Sequence, residues 1–141
     1  METKRPASED VYHLEKWIQP FVTPYGEVCR VLGEGAGEPG DFLEVEDCVF
    51  LFDSEKGYVF SGAVVMSDAY GFYGLRVGAN WLEAAGTLES QDFEQAEDLE
   101  RFTKRGQNFN ISVYLYPDDN PNTSLSTVKD YSICIRYGRN L

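Results

Sequence analysis

The sequence predicts an α+β domain built on an antiparallel sheet, with an N-terminal helix and two short helices on one face. Nine Tyr and nine Phe favour strands, because aromatic side chains suit a pleated, half-buried surface. Residues 45–65 and 110–137 contain stretches that alternate apolar and polar side chains, as strands do. Other stretches place apolar residues at helical spacing. At 141 residues, the chain is expected to form a single domain, 1–141, with its own core.

The first predicted helix covers residues 8–19. Ser8 is a good N-cap, and two acidic residues follow it in the first turn, where the helix dipole favours negative charge. Pro20 ends the run. The residues expected on its buried side are Val11, Leu14 and Ile18.

Two shorter helices are predicted further along the chain. One begins at Pro24, which suits a first helical position after Thr23 as cap, and it ends at Gly33. The other begins at Ala79 or Asn80. Its expected apolar face consists of Leu82, Ala85 and Leu88.

The strands are predicted from period-two patterns. VEDCVFLF, from Val45, and YVFSGAVVM form a hairpin across the turn DSEKG, and NISVYLY and VKDYSICIRY form two further strands. Residues 93–105 fit either a helix or a strand. We favour a short strand around Leu99–Thr103, because RFTKRGQNFNI resembles a strand, a glycine turn and a second strand.

Residues 24–66 and 79–137 show the same order of short helix, loop, strand, turn and strand. This order predicts an internal repeat of two α–β units, each too small to bury its own apolar face. The alternative is that a domain of this class shows helix–hairpin order twice by chance.

The segment LRVGANWLEAAGTLESQDF, residues 75–93, resembles the leading segment of β-lactamase-inhibitor-protein-like and SmpA/OmlA-like domains. There, a strand end and a glycine lead into a short helix that ends in a leucine. The residues that carry the resemblance are Leu75, Val77, Gly78, Leu82, Ala85 and Leu88. It implies tandem α–β units that form an open curved sheet for binding other proteins. The families' partner-contacting residues match no identifiable positions here.

Charge is strongly uneven along the chain. Residues 31–100 hold sixteen of the 24 acidic residues but only two of the 12 basic ones. The first acidic block is Glu34, Glu38, Asp41, Glu44, Glu46 and Asp47, and the second is Glu83, Glu89, Asp92, Glu94, Glu97, Asp98 and Glu100. Such charge serves either solubility or the attraction of a basic partner. Direct nucleic-acid binding is not expected, because clustered Lys and Arg are missing.

These patterns predict a non-catalytic protein-binding domain of inhibitory or immunity type, bacterial or phage in origin. Its acidic residues would gather into one face that recognises a basic protein, as in a nucleic-acid mimic. The predicted contact residues are Glu44, Glu46, Glu94, Glu97 and Asp98 for charge, and Trp81, Tyr114 and Tyr116 as aromatic anchors. Tyrosine and tryptophan are enriched at the centres of interfaces.

Two other functions are compatible with the sequence. A small-ligand or envelope-associated module would use the concave sheet, and a hydrolase would use a carboxylate pair such as Glu44 and Glu46. We expect no enzyme, cofactor or metal site: His13 is the sole histidine, and the three cysteines show no close pair. No signal peptide or membrane span is visible, so a cytoplasmic location is expected.

Overall fold

The computed structural model describes residues 10–35, 37–98, 100–119 and 125–137. Its main element is a seven-stranded antiparallel sheet in the order β1-β2-β3-β7-β6-β5-β4. The strands are β1 (Phe42–Val45), β2 (Cys48–Asp53), β3 (Val59–Val65), β4 (Glu94–Gln95), β5 (Arg101–Arg105), β6 (Phe109–Pro117) and β7 (Val128–Tyr137). The two α-helices are α1 (Tyr25–Leu32) and α2 (Trp81–Glu89), and the three short 3-10 helices are Asp10–Tyr12, Leu14–Lys16 and Ser54–Lys56.

The predicted α+β class is wrong, because the sheet dominates and the N-terminal α-helix is missing from the described residues. Its segment forms two 3-10 helices whose backbone bonds elsewhere. Leu14 N donates to Gly71 O at 3.0 Å, and Gly71 N donates to Val11 O at 2.8 Å. The apolar pattern was correct, since Val11, Leu14 and Ile18 are buried. Ser8, the predicted cap, lies outside the described residues.

The core lies on one side of the sheet. Alternate residues of β2 are buried there, and both α-helices and the aromatic segment 70–75 pack against them. Tyr131 joins this segment to β7, because its hydroxyl accepts from Phe72 N at 3.0 Å and donates to Leu75 O at 3.3 Å. The opposite side of the sheet therefore lacks a helical layer within the described part of the chain.

Each α-helix starts close to the residue that the sequence indicates. Pro24 is the N-cap of α1, so the helix begins at Tyr25, one residue later than predicted, and Gly33 ends it in the left-handed conformation. Asn80 caps α2 by accepting from Glu83 N at 3.0 Å. The predicted face of α2 is partly wrong, since Leu82 is 46% exposed and Trp81 is buried in its place.

Two strand predictions need correction. The strand predicted from Val45 is two strands, because Glu46 and Asp47 form a tight turn with φ of 53° and 61°. β1, on the near side of that turn, was missed. Residues 93–105 contain β4 and β5, so the preference for a strand was correct from Arg101 onward. Leu99, the predicted start, lies outside the described residues.

The two halves of the chain share details beyond their element order. Tyr25, the first residue of α1, donates its N–H to Tyr58 O at 3.0 Å, and Trp81, the first residue of α2, donates to Ser126 O at 2.8 Å. The residue before each helix also forms an isolated β-bridge at or next to the start of a strand: Pro24 with Val59 of β3, and Asn80 with Thr127, just before β7. The internal repeat stays a prediction, and this recurrence supports it.

Candidate protein-binding surface

The side of the sheet away from the core, called the open face below, carries a continuous row of side chains. The register places Glu44 beside Val49, Val49 beside Val64 and Val64 beside Ser132, and the row continues through Tyr114 to Arg101. None of these six residues is buried. Their partial exposure is what an uncovered sheet face produces, and such a face is available for contact.

Tyr114 and Tyr116 lie on the open face, as the alternation in β6 predicts. Their rings stack at 6.5 Å between centroids with planes 17° apart, and Tyr116 is 37% exposed. Their β6 neighbours Val113 and Leu115 are buried on the core side. The pair therefore offers an aromatic surface, with Arg101 opposite Tyr114 and Asp130 opposite Tyr116.

Trp81 lies in the core, so its predicted role as a surface anchor is wrong. The side chain is 2% exposed, and the indole Nε1 donates to Leu115 O at 2.9 Å. Its ring also lies 6.2 Å from that of Phe102. A partner cannot reach this ring without opening the protein, and Trp81 instead fixes the start of α2 on β6.

The predicted acidic residues are exposed but do not form one face. Glu44 is on β1 and Glu46 follows it in the turn, whereas Glu94 is on β4, with Glu97 and Asp98 just after it. β1 and β4 are the opposite edges of the sheet. Six strand spacings separate them, about 29 Å along the sheet. The acidic blocks are two separate edges, and the single field expected from the sequence is wrong.

The two edges differ in how far basic residues balance them. β4 neighbours β5, which carries Arg101, Lys104 and Arg105, and Arg101 Nε lies 3.9 Å from Asp98 Oδ2. Residues 31–75 contain one basic side chain, Lys56, which lies in the β2–β3 connection at the other end of the hairpin from Glu46. The β1 edge therefore keeps more of its negative charge.

The β1 edge also exposes apolar side chains that the sequence analysis missed. Phe42 is 61% exposed and Leu51 is 37% exposed, and the register puts them directly opposite each other on the open face. The alternation in β2 could have identified Leu51, since it places Phe50 and Phe52 together on the other face of the strand. Phe42 was missed because the strand was started at Val45.

A groove of about 700 Å³ crosses the centre of the open face. Its floor includes Gly62, Val64, Ser132 and Cys134, and its residues include both Asp53 and Arg136. Gly62 leaves room because it has no side chain, and a Cβ there would lie 2.7 Å from Ile133 O. Leu51 lines one side of the groove and pairs with Phe42 of β1.

The groups that commonly carry catalysis do not converge in the described residues. They contain no group of three or more His, Cys, Asp or Glu side chains that could hold a metal ion. His13 Nδ1 lies 3.3 Å from Glu15 Oε2, and Glu15 Oε1 accepts from Tyr73 N at 2.6 Å, which ties the N-terminal segment to the core. Burial raises the pKa of the Cys48 thiol, so this cysteine is held protonated.

Comparison with known proteins gave no match to a family model, a curated protein or a solved structure. The resemblance at residues 75–93 therefore stays a prediction. Across the described ranges, the helices are too short or too polar to cross a bilayer.

Proposed function

We propose that this protein is a non-catalytic binding domain that recognises a basic protein through the β1 edge of its sheet. The observation that carries the proposal is the group of carboxylates Glu44, Glu46 and Asp47, which form no ion pair among the described residues, beside the exposed Phe42. The open face next to it supplies further contact area. Inhibition or protection of the partner by steric occlusion is the role that this arrangement suits best.

The charge and the apolar side chains contribute differently. Exposed carboxylates steer a basic partner toward the edge and raise the association rate, and salt weakens this effect. Phe42 and Leu51 bury apolar surface once the partner docks, which slows dissociation. Binding is therefore expected to weaken as the salt concentration rises without vanishing at high salt.

The test is affinity capture from a cell lysate at increasing salt, with two charge-reversed baits. One bait carries Glu44→Lys and Glu46→Lys at the β1 edge, and the matched control carries Glu94→Lys and Glu97→Lys at the β4 edge. The unmodified protein is expected to retain a basic protein. The β1 bait is expected to lose at least about 90% of the retained protein, because like charges at the contact lower the affinity by more than about tenfold.

Two results would count against the proposal. One is that no basic protein is retained by the unmodified bait at low salt. The other is that the β4 reversal removes the partner while the β1 reversal does not.

The groove supports a second candidate function, the binding of a small apolar ligand on the open face. Its volume of about 700 Å³ suits a small organic molecule, and Gly62 and Val64 make its floor apolar. A fluorescent hydrophobic probe should bind the unmodified protein and lose most of its signal with Ser132→Phe, which fills the floor. Equal probe binding by both proteins would exclude the groove as its site.

A further inference from the structure

The outer side of β1 presents backbone groups that β2 does not use. The two-residue turn at Glu46 and Asp47 closes on the pair Val45 and Cys48, which makes that pair hydrogen-bonded. Hydrogen-bonded pairs then recur at every second residue, and Phe52 N donating to Asp41 O at 2.9 Å fits this alternation. Phe42 and Glu44 therefore direct their N–H and C=O groups away from β2.

Within the described ranges, no other segment forms backbone hydrogen bonds with these groups of Phe42 and Glu44. An edge strand with unused donors and acceptors is a template for a further strand. The other edge is a weaker template, because β4 has only two residues. The same β1 edge carries the exposed ring of Phe42 and the carboxylates that lack an ion pair in the part of the chain that the structure describes.

We propose that an extended, basic segment of the partner adds to β1 as an eighth strand of the sheet. The inference rests on the proposed function and specifies how the partner binds. Main-chain hydrogen bonds to Phe42 and Glu44 provide affinity, and alternate side chains provide specificity. Lys or Arg side chains of the added strand pair with Glu44 and Glu46, and its apolar side chains cover Phe42.

Charge decides against a second copy of this chain as the added strand. If two β1 strands paired edge to edge, the acidic residues Asp41, Glu44 and Glu46 of one copy would lie close to those of the other. Like charges directly opposite each other destabilise a strand pair. A basic segment gains from the same carboxylates, so the occupant is a different chain.

The experiment uses a synthetic peptide of about eight residues, the length of an ordinary strand, with the sequence Lys-Thr-Val-Thr repeated, so that Lys and Val share the face that Glu44 and Phe42 share. Amide hydrogen exchange of the full-length protein is followed by NMR with and without saturating peptide. The amides of Phe42 and Glu44 are expected to exchange at least about tenfold more slowly when the added strand bonds to them. A peptide of the same sequence with every backbone amide N-methylated keeps the charge but has no N–H on either edge for pairing, and it should give no protection.

Three variants separate backbone pairing from charge. Glu44→Pro removes the outward N–H and is tolerable on an edge strand, so it should weaken peptide binding at least about tenfold. Glu44→Gln keeps the N–H and should weaken binding less. Glu94→Gln, on the other edge, should leave binding unchanged. Thermal unfolding of each variant checks that the fold is kept.

The inference is overturned if the peptide fails to bind, if the N-methylated peptide binds as well, or if protection appears away from β1. It is also overturned if a partner retained in the capture experiment binds Glu44→Pro as tightly as the unmodified protein. That last result would contradict strand addition but not the proposed function. If no basic protein is captured and the peptide still protects the amides of Phe42 and Glu44, only the proposed function is contradicted.

Discussion

The indole of Trp81 holds the start of α2 against β6. It bonds to Leu115 O inside the core, so Trp81→Phe leaves that carbonyl without its partner. We expect this substitution to lower the free energy of unfolding by about 1–3 kcal/mol, measured by denaturant titration. The neighbouring Leu82→Ala is the control, because Leu82 is 46% exposed and should change stability by less than about 0.5 kcal/mol. Equal effects of the two changes would contradict the core position of Trp81.

Two glycines with opposite surroundings give a matched pair of substitutions. A Cβ at Gly62 would lie 2.7 Å from Ile133 O, between the strands that join the two halves, so Gly62→Ala should cost about 1–3 kcal/mol. Gly86 lies within α2 with nothing inside 4 Å of its added Cβ, so Gly86→Ala should stabilise the protein by about 1 kcal/mol. Thermal unfolding of both variants measures the signs, and equal signs would contradict these environments.

Buried tyrosines make stability depend on alkaline pH. Burial raises the pKa of Tyr73 and Tyr131 above the ordinary value of 10.0. The unfolded state therefore loses these protons first, so their contribution is complete below pH 10 and falls as pH rises toward their folded-state pKa. Each group contributes up to about 1.4 kcal/mol per pH unit in that window.

The check is the free energy of unfolding of the unmodified protein and of Tyr73→Phe, measured from neutral to alkaline pH. The free energy of unfolding of Tyr73→Phe should fall less steeply with rising pH, because the variant lacks one of the two tyrosines whose pKa is raised. Identical slopes would show that Tyr73 ionises as easily in the folded protein as in the unfolded chain.

At the scale of elements, the turn between β1 and β2 explains a missed strand. Two-residue hairpin turns are usually recognised in a sequence by Asn-Gly or Asp-Gly, whereas this turn consists of Glu46 and Asp47, both with positive φ. The local sequence carries no turn signal at this point, and its period-two pattern includes the acidic pair in a strand. By contrast, α1 and α2 were predictable from a glycine C-cap and an asparagine N-cap, because capping is local chemistry.

The same turn gives a prediction. Asp47→Gly relieves the positive φ of 61° and should raise the free energy of unfolding by about 0.5–1 kcal/mol. Asp47→Ala is the control, since it removes the same carboxylate but keeps a Cβ, and it should give no gain. Denaturant unfolding compares them, and an equal gain from both would assign the effect to relief of charge repulsion instead.

The N-terminal segment shows why an element can be misassigned when its apolar pattern is read correctly. Val11, Leu14 and Ile18 are buried at the expected spacing, yet the backbone bonds to Gly71 and Gly74 across the molecule. Those partners are about 60 residues away along the chain, beyond the reach of propensity or capping. Tertiary hydrogen bonding therefore replaced the helix.

At the scale of the whole molecule, the sequence shows which segments are acidic but not where these segments lie in the fold. Strand order places β1 and β4 at opposite edges, and nothing within either acidic block encodes that order. The open face was partly predictable, since the alternation in β6 oriented Tyr114 and Tyr116 correctly. The groove was not, because it depends on Gly62 being placed between Leu51 and Cys134 by pairing across three strands.

The most direct measurement is the affinity of the captured partner as a function of salt, for the unmodified protein and for the two charge-reversed pairs. With the β1 edge as the contact, reversal of Glu44 and Glu46 should weaken binding at least about tenfold at low salt and flatten its salt dependence. Reversal of Glu94 and Glu97 should leave both quantities close to those of the unmodified protein. Equal losses at the two edges, or a salt dependence that survives the β1 reversal, would contradict recognition at β1.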